Sequence, residues 1–362
     1  MRILLINTVP TEKNGITNVI FNYQQAMAPG AVRMDYVAIH QPEPEYVQKI
    51  EAAGGKLHVI PRSMRNVPGY IRALSALIRE GKYDAVHAHG NSATLALEMM
   101  AAWLGGCKVR IAHSHNTTCK HMAVHKLFTP VFQMLCTHRL ACGEDAGKWL
   151  YGQREFTVMH NGVDTNRFAF DPEARSAIRR QYAVAEDTVL VGHVGTFNEQ
   201  KNQQFLLDVL PYLPRDRYRL LLIGDGELRS AVEKKAEEMG FTDRVIFTGF
   251  VSDIPQYLSA CDCIGMPSLY EGLPLALMEQ QANGLRCVVS DHITREVNKT
   301  GNLTFLSLED AELWAKHIQS LPNTDRAALS RTAGEIIRSC GYDIHREAEK
   351  LRKYYQQAVE EP

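Results

Sequence analysis

No stretch of the sequence is long and apolar enough to cross a bilayer, since a membrane-spanning helix needs about 18 to 20 consecutive apolar residues. The first apolar segment, MRILLINTVP at residues 1–10, is too short for a secretory signal peptide and contains no cleavage site. These absences argue against an integral membrane protein or a secreted one. They predict a cytoplasmic protein.

The sequence also has no excess of charge of one sign and no closely spaced pair of cysteines in a C-x-x-C pattern. Of the 362 residues, 40 are Lys or Arg and 41 are Asp or Glu, which gives a formal net charge of -1 at pH 7. This balance provides no basic field for a polyanion, so nucleic acid is not expected as a partner. The eight cysteines form no C-x-x-C pair. Because intracellular thiols stay reduced, we expect buried free thiols.

Short apolar runs are present, and they alternate with helix-length segments along the first half of the chain. The chain opens with an apolar run (3–6), a polar loop (7–15) and a helical stretch (16–27). The later apolar runs lie at 34–39, 57–60, 85–88, 109–112 and 139–142. Alternation of this kind predicts a parallel sheet covered by helices.

A second set of strand-like runs begins near residue 189 and contains VLVGHVG, RLLLIGDG, RVIFTGF, CIGMPS and CVVSD. A chain of 362 residues also exceeds what one hydrophobic core usually serves. We therefore expect an α/β protein with domains at 1–168 and 169–341. A charged helix is expected within the final segment, 342–362.

The segment SLYEGLPLALMEQQANG at 268–284 contains two glutamates, Glu271 and Glu279, with seven residues between them. Pro274 can start a helix, which places Glu271 in the preceding loop and Glu279 about one turn inside. A helix N-terminus offers unpaired N–H groups to phosphate, and a carboxylate accepts hydrogen bonds from a ribose diol. The pattern suits the binding of a nucleotide diphosphate sugar, although two glutamates on a solvated surface would give the same sequence pattern.

This segment resembles the E-x7-E signature of retaining glycosyltransferases of the GT-B fold, family 4, the group 1 transferases of capsular and exopolysaccharide assembly. The resemblance covers most of the chain, through INTVPTEKNGI, DAVHAHG, RIAHSHN, MHNGVD, HVGTFNEQKN, LLIGDGEL and VIFTGFVSDI. It implies two Rossmann-like domains facing a central cleft, the N-terminal one on the acceptor side and the C-terminal one holding the nucleotide-sugar donor. It also implies that the C-terminal helix packs back toward the N-terminal domain.

The resemblance assigns roles to the residues of the signature. Glu279 is expected to bind the ribose hydroxyls and Glu271 the hydroxyls of the donor sugar, with backbone contacts from Gly272 and Leu273. Lys201 matches the family lysine that meets the diphosphate, and its charge can stabilise the leaving nucleotide as a metal ion does in other transferases. Glu271 and Lys201 are therefore expected catalytic residues, and no metal cofactor is expected.

Further donor-site positions follow from the same resemblance. Thr196 stands where the family usually carries a second diphosphate-binding arginine, and Arg229 or Arg286 is a candidate replacement. Gly15 matches the glycine whose backbone approaches the donor phosphates, although an ordinary turn glycine has the same appearance. The weaker candidates are Gly224, Asp225, Phe250 and Val251, and Asp225 could equally be a helix cap.

Seven of the 14 histidines lie between positions 87 and 138, including two His-x-His pairs at the ends of predicted strands. The strand period of two puts each pair on one face. By resemblance His115 is the active-site histidine near the donor sugar, with His113 as the alternative. The spacing also suits metal ligands, together with His121 and His125, so a metal-dependent hydrolase is an alternative function. No H-E-x-x-H signature accompanies them, and a structural role is the third interpretation.

The segment KHMAVHKLFTPVFQML at 120–135 mixes basic and large apolar residues. This pattern is typical of an amphipathic helix that touches a membrane surface, but a helix packed on its own domain gives the same pattern. Peripheral contact with the inner face of the membrane is thus one interpretation.

The resemblance as a whole implies a retaining hexosyltransferase that moves a hexose or N-acetylhexosamine from a nucleotide-sugar to a saccharide or lipid-linked acceptor. UDP is the preferred nucleotide, and GDP-mannose is the alternative donor. Donor and acceptor are expected to meet between the domains, where closure excludes water. A non-catalytic nucleotide-binding protein on the same scaffold is a further alternative.

Overall fold

The computed structural model describes residues 1–12, 14–119, 121–271, 273–322 and 324–361. The chain forms two compact units: unit 1 comprises Met1–Gly162 and the C-terminal segment from Ile344, and unit 2 comprises Val163–Asp343. The first boundary lies at 162–163 rather than 168–169 because Val163 already belongs to unit 2. Its backbone N–H donates to the Tyr342 carbonyl oxygen at 2.8 Å.

Unit 1 is built on a seven-stranded sheet in which all paired strands are parallel. Its strands are β1 (Arg2–Asn7), β2 (Arg33–Ala38), β3 (Leu57–Val59), β4 (Ala85–Gly90), β5 (Val109–Ser114), β6 (His138–Ala141) and β7 (Thr157–Val158). The order is β3-β2-β1-β4-β5-β6-β7. The order reverses between β1 and β4, which is where open α/β sheets bind their ligands.

Helices cover both faces of this sheet, because alternate side chains of each strand point to opposite faces. Leu4 and Ile6 join one buried cluster with the helices at 67–81 and 96–104, whereas Ile3 and Leu5 join another with the helix at 15–26. The helices of this part are α1 (Gly15–Ala26), α2 (Pro44–Ala52), α3 (Val67–Gly81), α4 (Ala96–Leu104), α5 (Met122–Leu135) and α6 (Glu144–Tyr151).

Unit 2 contains a six-stranded sheet whose paired strands are again parallel. Its strands are β8 (Val189–Val194), β9 (Tyr218–Ile223), β10 (Val245–Gly249), β11 (Cys263–Met266), β12 (Arg286–Ser290) and β13 (Leu303–Leu306). The order is β10-β9-β8-β11-β12-β13. The switch point of unit 2 therefore lies between β8 and β11.

The helices of unit 2 are α7 (Pro172–Gln181), α8 (Gln204–Val209), α9 (Arg229–Glu238), α10 (Ile254–Ala260), α11 (Leu275–Ala282), α12 (Ala311–Ser320) and α13 (Arg326–Ser339). The last helix, α14 (Ile344–Glu360), returns to unit 1 as expected. Its Leu351 and Tyr355 are buried in the cluster that also contains Ile3 and Leu5. The prediction of an α/β GT-B architecture is confirmed.

All eight cysteines are free thiols, and six of them are buried. Cys119 is half-buried, and Cys340, which directly follows the last residue of α13, is exposed. The prediction of buried thiols is therefore wrong for Cys340. Among the described residues no helix is long and apolar enough to cross a membrane.

Candidate active site

The predicted donor-site residues of unit 2 lie at the carboxyl edge of its sheet. The loop after β8 contains a short 3₁₀ turn, Glu199–Lys201, and the loop after β11 contains Glu271. Because β8 and β11 are neighbours and parallel, these two loops emerge side by side. The switch point brings together residues that are far apart in the sequence.

Lys201 and Glu271 form an ion pair in which Lys201 Nζ lies 2.5 Å from Glu271 Oε1. Only 19% of the Lys201 side chain and 8% of the Glu271 side chain are exposed. Gln200 Nε2 donates to the Tyr270 carbonyl oxygen at 2.9 Å. The structure thus joins two residues that were predicted separately, and each charge compensates the other in a half-buried setting.

The loop that carries Lys201 is held by polar side chains that sequence reasoning missed. The Asn198 side chain accepts a hydrogen bond from the Lys201 backbone N–H at 3.0 Å. Asn202 adopts a left-handed conformation with φ of 51°, which asparagine tolerates better than most residues. Buried Gln203 donates from Nε2 to the Thr196 carbonyl oxygen at 3.0 Å. The polar run NEQKNQQ at 198–204 was the available signal.

Glu279 lies in α11, which begins at Leu275 with Pro274 as its N-cap residue. Burial raises the pKa of the Glu279 carboxyl to about 8, and the charge of Arg167 acts in the opposite direction. Leu273 is half-buried against the core of unit 2, while Gly272 lies outside the described residues. A carboxylate at Glu279 therefore needs a hydrogen-bonding partner such as a ligand hydroxyl to favour its charged form.

The remaining predicted donor-site residues of unit 2 lie in loops at the same carboxyl edge of the sheet. Gly224 has φ of 137°, and a Cβ there would collide with the Gly195 carbonyl oxygen, so the loops after β8 and β9 require glycine at this contact. Thr196, which follows Gly195 in the sequence, is exposed. Directly after β10, Phe250 is 56% exposed, whereas Val251 is half-buried against the core.

The two candidate replacements for the missing arginine lie at opposite edges of the sheet. Arg229 begins α9 at the carboxyl edge, where its side chain pairs with Asp225 (3.1 Å) and Glu233 (2.7 Å). Arg286 is the first residue of β12 and therefore lies at the amino edge. It lines a separate cavity of about 670 Å³ there. Only Arg229 lies at the same sheet edge as Lys201.

In unit 1, Gly15 is the first residue of α1, just after the Asn14 side chain that accepts a hydrogen bond from the Thr17 backbone N–H. No described atom lies within 4 Å of the place that a Cβ on Gly15 would occupy. Gly15 is also not among the glycines with positive φ. The fold of unit 1 therefore gives no steric or conformational reason for a glycine at this position.

Four of the histidines come together on one face of the unit 1 sheet. His89 in β4 pairs in register with His113 in β5, and His87 precedes His89 on the same face. His115 follows the last residue of β5, and its Nε2 atom lies 2.9 Å from His89 Nδ1. Burial lowers the pKa of all four imidazoles, that of His115 to about 3, so the cluster is uncharged at neutral pH.

Three ring nitrogens of this cluster, one each from His87, His89 and His113, lie within 4.8 Å of one another. A tetrahedral zinc ion with bonds of about 2.0–2.1 Å would need them about 3.4 Å apart. No carboxylate or thiolate belongs to this described group, so a divalent ion would keep its charge in the core, which is costly. The chemistry of the donor set thus favours a neutral cluster over a metal centre.

His125 and His138 lie outside this cluster. His125 in α5 accepts a hydrogen bond from the Ala93 backbone N–H at 3.2 Å and packs against Trp149. His138 opens β6 and contacts Tyr354. The predicted metal site combined His121 and His125 with the His-x-His pairs, but the described histidines that could share a metal ion are His87, His89 and His113.

Each unit has a parallel sheet with polar loops at its switch point, and comparisons with known proteins specify the family. The family described as Glycosyl transferases group 1 matches residues 188–323, and Glycosyltransferase Family 4 matches residues 13–167. A Bacillus subtilis (strain 168) protein that carries the name glycosyltransferase EpsF is 34% identical over 96% of this chain and 94% of its own. The chain belongs to the group 1 glycosyltransferases of family 4.

Other relatives agree with this assignment. The Escherichia coli UDP-Gal:alpha-D-GlcNAc-diphosphoundecaprenol alpha-1,3-galactosyltransferase is 31% identical over 235 residues, 60% of each chain. Anabaena Alr3699/HepE in complex with UDP superimposes with a TM-score of 0.80, at 19% identity, over 99% of this chain and 100% of that chain. A Rickettsia africae glycosyltransferase superimposes with a TM-score of 0.82, at 15% identity, over 99% and 98%. These two structures share the fold.

Proposed function

We propose that the chain is a retaining, metal-independent glycosyltransferase that moves a hexose or N-acetylhexosamine from a UDP-sugar to a saccharide or lipid-linked acceptor in cell-surface polysaccharide assembly. The ion pair of Lys201 with Glu271 at the unit 2 switch point carries this proposal. The choice of UDP is supported by the name of the Escherichia coli relative and by the Anabaena structures with UDP and UDP-glucose.

In this proposal the donor is held by α11 and the loop before it. The ribose hydroxyls donate to the Glu279 carboxylate, whose charged form is otherwise disfavoured by burial. The N-terminal N–H groups of α11 face the diphosphate. Glu271 exchanges part of its contact with Lys201 for hydroxyls of the donor sugar. Each of these steps uses a residue at the carboxyl edge of one sheet.

Lys201 takes the electrostatic role that a metal ion has in other transferases. As the bond to the sugar breaks, negative charge grows on the leaving diphosphate, and an ammonium group held at fixed distance stabilises it. The partly buried position of Lys201 strengthens this effect because less water screens the charge. Arg229 is the proposed second cation in place of the arginine that Thr196 replaces.

Two residues of unit 1 belong to the proposal. The open space at Gly15 leaves room for the donor phosphates to approach the backbone. His115 is the proposed active-site histidine, and it is half-buried, whereas the alternative His113 is fully buried. A neutral His115 can donate a hydrogen bond to a sugar hydroxyl or accept one from it, and it adds no charge to the site.

The acceptor side is proposed to include a membrane contact through α5. His125, Phe132 and Leu135 anchor this helix in unit 1, while Leu127 (75%) and Met134 (71%) are exposed. Exposed apolar residues beside basic ones are typical of interfacial helices. A lipid-linked acceptor, as in the name of the Escherichia coli relative, fits such a surface.

The test is transfer from UDP-galactose, UDP-glucose, UDP-N-acetylglucosamine and GDP-mannose to a prenyl-diphosphate-linked N-acetylhexosamine, with EDTA present and the product's anomeric proton read by NMR. We expect one UDP-sugar to be transferred with retention. Lys201→Ala should lower the rate roughly 100-fold or more. Lys316→Ala, which removes an exposed lysine paired with Glu312, is the control and should leave the rate unchanged.

A different experimental result would contradict each part of the proposal. Inverted product would contradict retention, and activity lost in EDTA would contradict metal independence. Preference for GDP-mannose would contradict the choice of UDP. Neither transfer nor hydrolysis of any donor would contradict the enzymatic function itself.

A further inference from the structure

A hydrogen bond between two histidines of unit 1 points to a residue that acts through its neighbour. We infer that His89 is a positioning residue, which holds the imidazole of His115 in one orientation and one neutral tautomer. The inference rests on the proposed function, since it is there that His115 is assigned to the active site.

The contact is specific. His89 Nδ1 and His115 Nε2 are 2.9 Å apart, a normal hydrogen-bond distance. His89 itself is fixed in β4, because its carbonyl oxygen accepts from the Thr8 hydroxyl at 2.7 Å and its ring packs against those of His87 and His113. His115 lies beyond the last residue of β5, where strand pairing no longer fixes it. The ring of His115, which stacks on His113, therefore takes its hydrogen-bonded position from a ring held within a strand.

The bond also couples the protons of the two rings. Burial lowers the pKa of both imidazoles, so both are neutral at physiological pH and each carries one N–H. One nitrogen of the contact must donate and the other must accept. If His89 Nδ1 donates, His115 carries its proton on Nδ1. If His115 Nε2 donates, its Nδ1 is a lone pair.

The consequence falls on the Nδ1 atom of His115. This atom is buried and has no hydrogen-bond partner among the described residues. Whether it presents an N–H or a lone pair decides whether it can donate to a substrate oxygen or accept from a hydroxyl. The tautomers of the two rings are coupled through this contact, and His89 thus acts on the hydrogen-bonding character of His115 without touching the substrate.

The experiment compares two substitutions at His89 in the full-length protein. Leucine removes the hydrogen bond, whereas asparagine places an amide near the position of Nδ1 and restores it. His87→Leu and His87→Asn are the matched controls, because His87 lies on the same strand and face but bonds to Tyr355 at 2.6 Å instead of His115. Nitrogen-15 NMR of labelled histidines reports the tautomer of His115, with His115→Gln used to assign its signals.

We expect wild-type His115 to show one tautomer, and His89→Leu to show a mixture. The kcat for donor turnover should fall roughly 10- to 100-fold in His89→Leu, the effect of a displaced catalytic group, with the donor KM changing less than about threefold. His89→Asn should recover kcat to within about threefold. Both His87 variants keep the bond from His89 to His115, so His115 should retain one tautomer and kcat should stay within about threefold of the wild type.

An unchanged His115 tautomer in His89→Leu would overturn the inference, as would a kcat loss that His87→Leu reproduces equally. The NMR measurement needs no donor. Absence of turnover in the wild type would therefore count against the proposed function alone, while the tautomer result would still decide the inference.

Discussion

Replacing Glu279 with glutamine tests the physical state of the carboxyl group on which donor binding is proposed to depend. Burial raises the pKa of this group from 4.5 to about 8. Between these values the unfolded chain has lost the proton while the folded chain retains it, so stability falls as pH rises through this window. Above pH 8 the folded chain carries the full cost of a buried charge. Glutamine has the same shape and no charge, and removes that cost.

The magnitude follows from the two pKa values. The gap between 4.5 and about 8, at about 1.4 kcal/mol for each pH unit, corresponds to about 5 kcal/mol as an upper bound. Glu279 keeps partial contact with solvent, which reduces the effect to about 2 kcal/mol. For a domain of the size of unit 2, this raises the melting temperature of Glu279→Gln by roughly 4–8 °C at pH 8.5.

The assay is thermal unfolding by circular dichroism at pH 5 and pH 8.5. At pH 5 the two proteins should melt within about 2 °C of each other, since the carboxyl is protonated in the folded chain. Glu271→Gln is the control with the opposite sign: it leaves Lys201 without its partner and should lower the melting temperature at pH 8.5. A Glu279→Gln protein less stable than wild type at pH 8.5 would refute the reasoning.

Three further predictions follow from the same structure. UDP binding at pH 7 should release about one proton in the wild type and none in Glu279→Gln, because the ribose hydroxyls favour the ionised carboxyl of Glu279. Calorimetry in buffers of different ionisation enthalpy measures the number of protons released, and equal numbers for the two proteins would contradict the prediction. Thr196→Arg should tighten UDP binding roughly 5-fold or more, because it adds a third cation to Lys201 and Arg229 at the position where the family usually carries an arginine. Weaker binding would contradict a diphosphate site beside residue 196. The double variant Leu127→Glu, Met134→Glu should reduce the fraction of protein that sediments with anionic vesicles at least threefold. The control Met64→Glu, at another exposed site of unit 1, should leave that fraction unchanged, and an equal loss in both proteins would contradict the α5 contact.

Local pattern predicted most of the elements, and the reason is visible in individual segments. The apolar run VLVGHVG contains β8 because buried parallel strands are short, apolar and bounded by polar or glycine-containing loops. Pro274 correctly marked the start of α11, since its missing N–H costs nothing at a helix N-terminus. The two His-x-His pairs share one face because the strand period is two.

Strand order and burial lay beyond the sequence. The ion pair of Lys201 with Glu271 joins residues 70 positions apart, and it depends on β8 lying next to β11. The choice between Arg229 and Arg286 likewise needs the sheet, because only the sheet separates its carboxyl edge from its amino edge. The bond from His89 to His115 depends on the register of β4 against β5. Non-local pairing decides each of these contacts, and no local pattern encodes it.

Isothermal titration of UDP into the protein, with EDTA present, tests the central claim most directly. Wild type and the control Lys316→Ala should bind with equal affinity. Lys201→Ala and Glu279→Ala should each bind at least about 10-fold more weakly, since each removes a charged contact worth about 1.5–3 kcal/mol. Wild-type binding that both variants retain unchanged would contradict a donor site at the carboxyl edge of unit 2, and so would no binding at all.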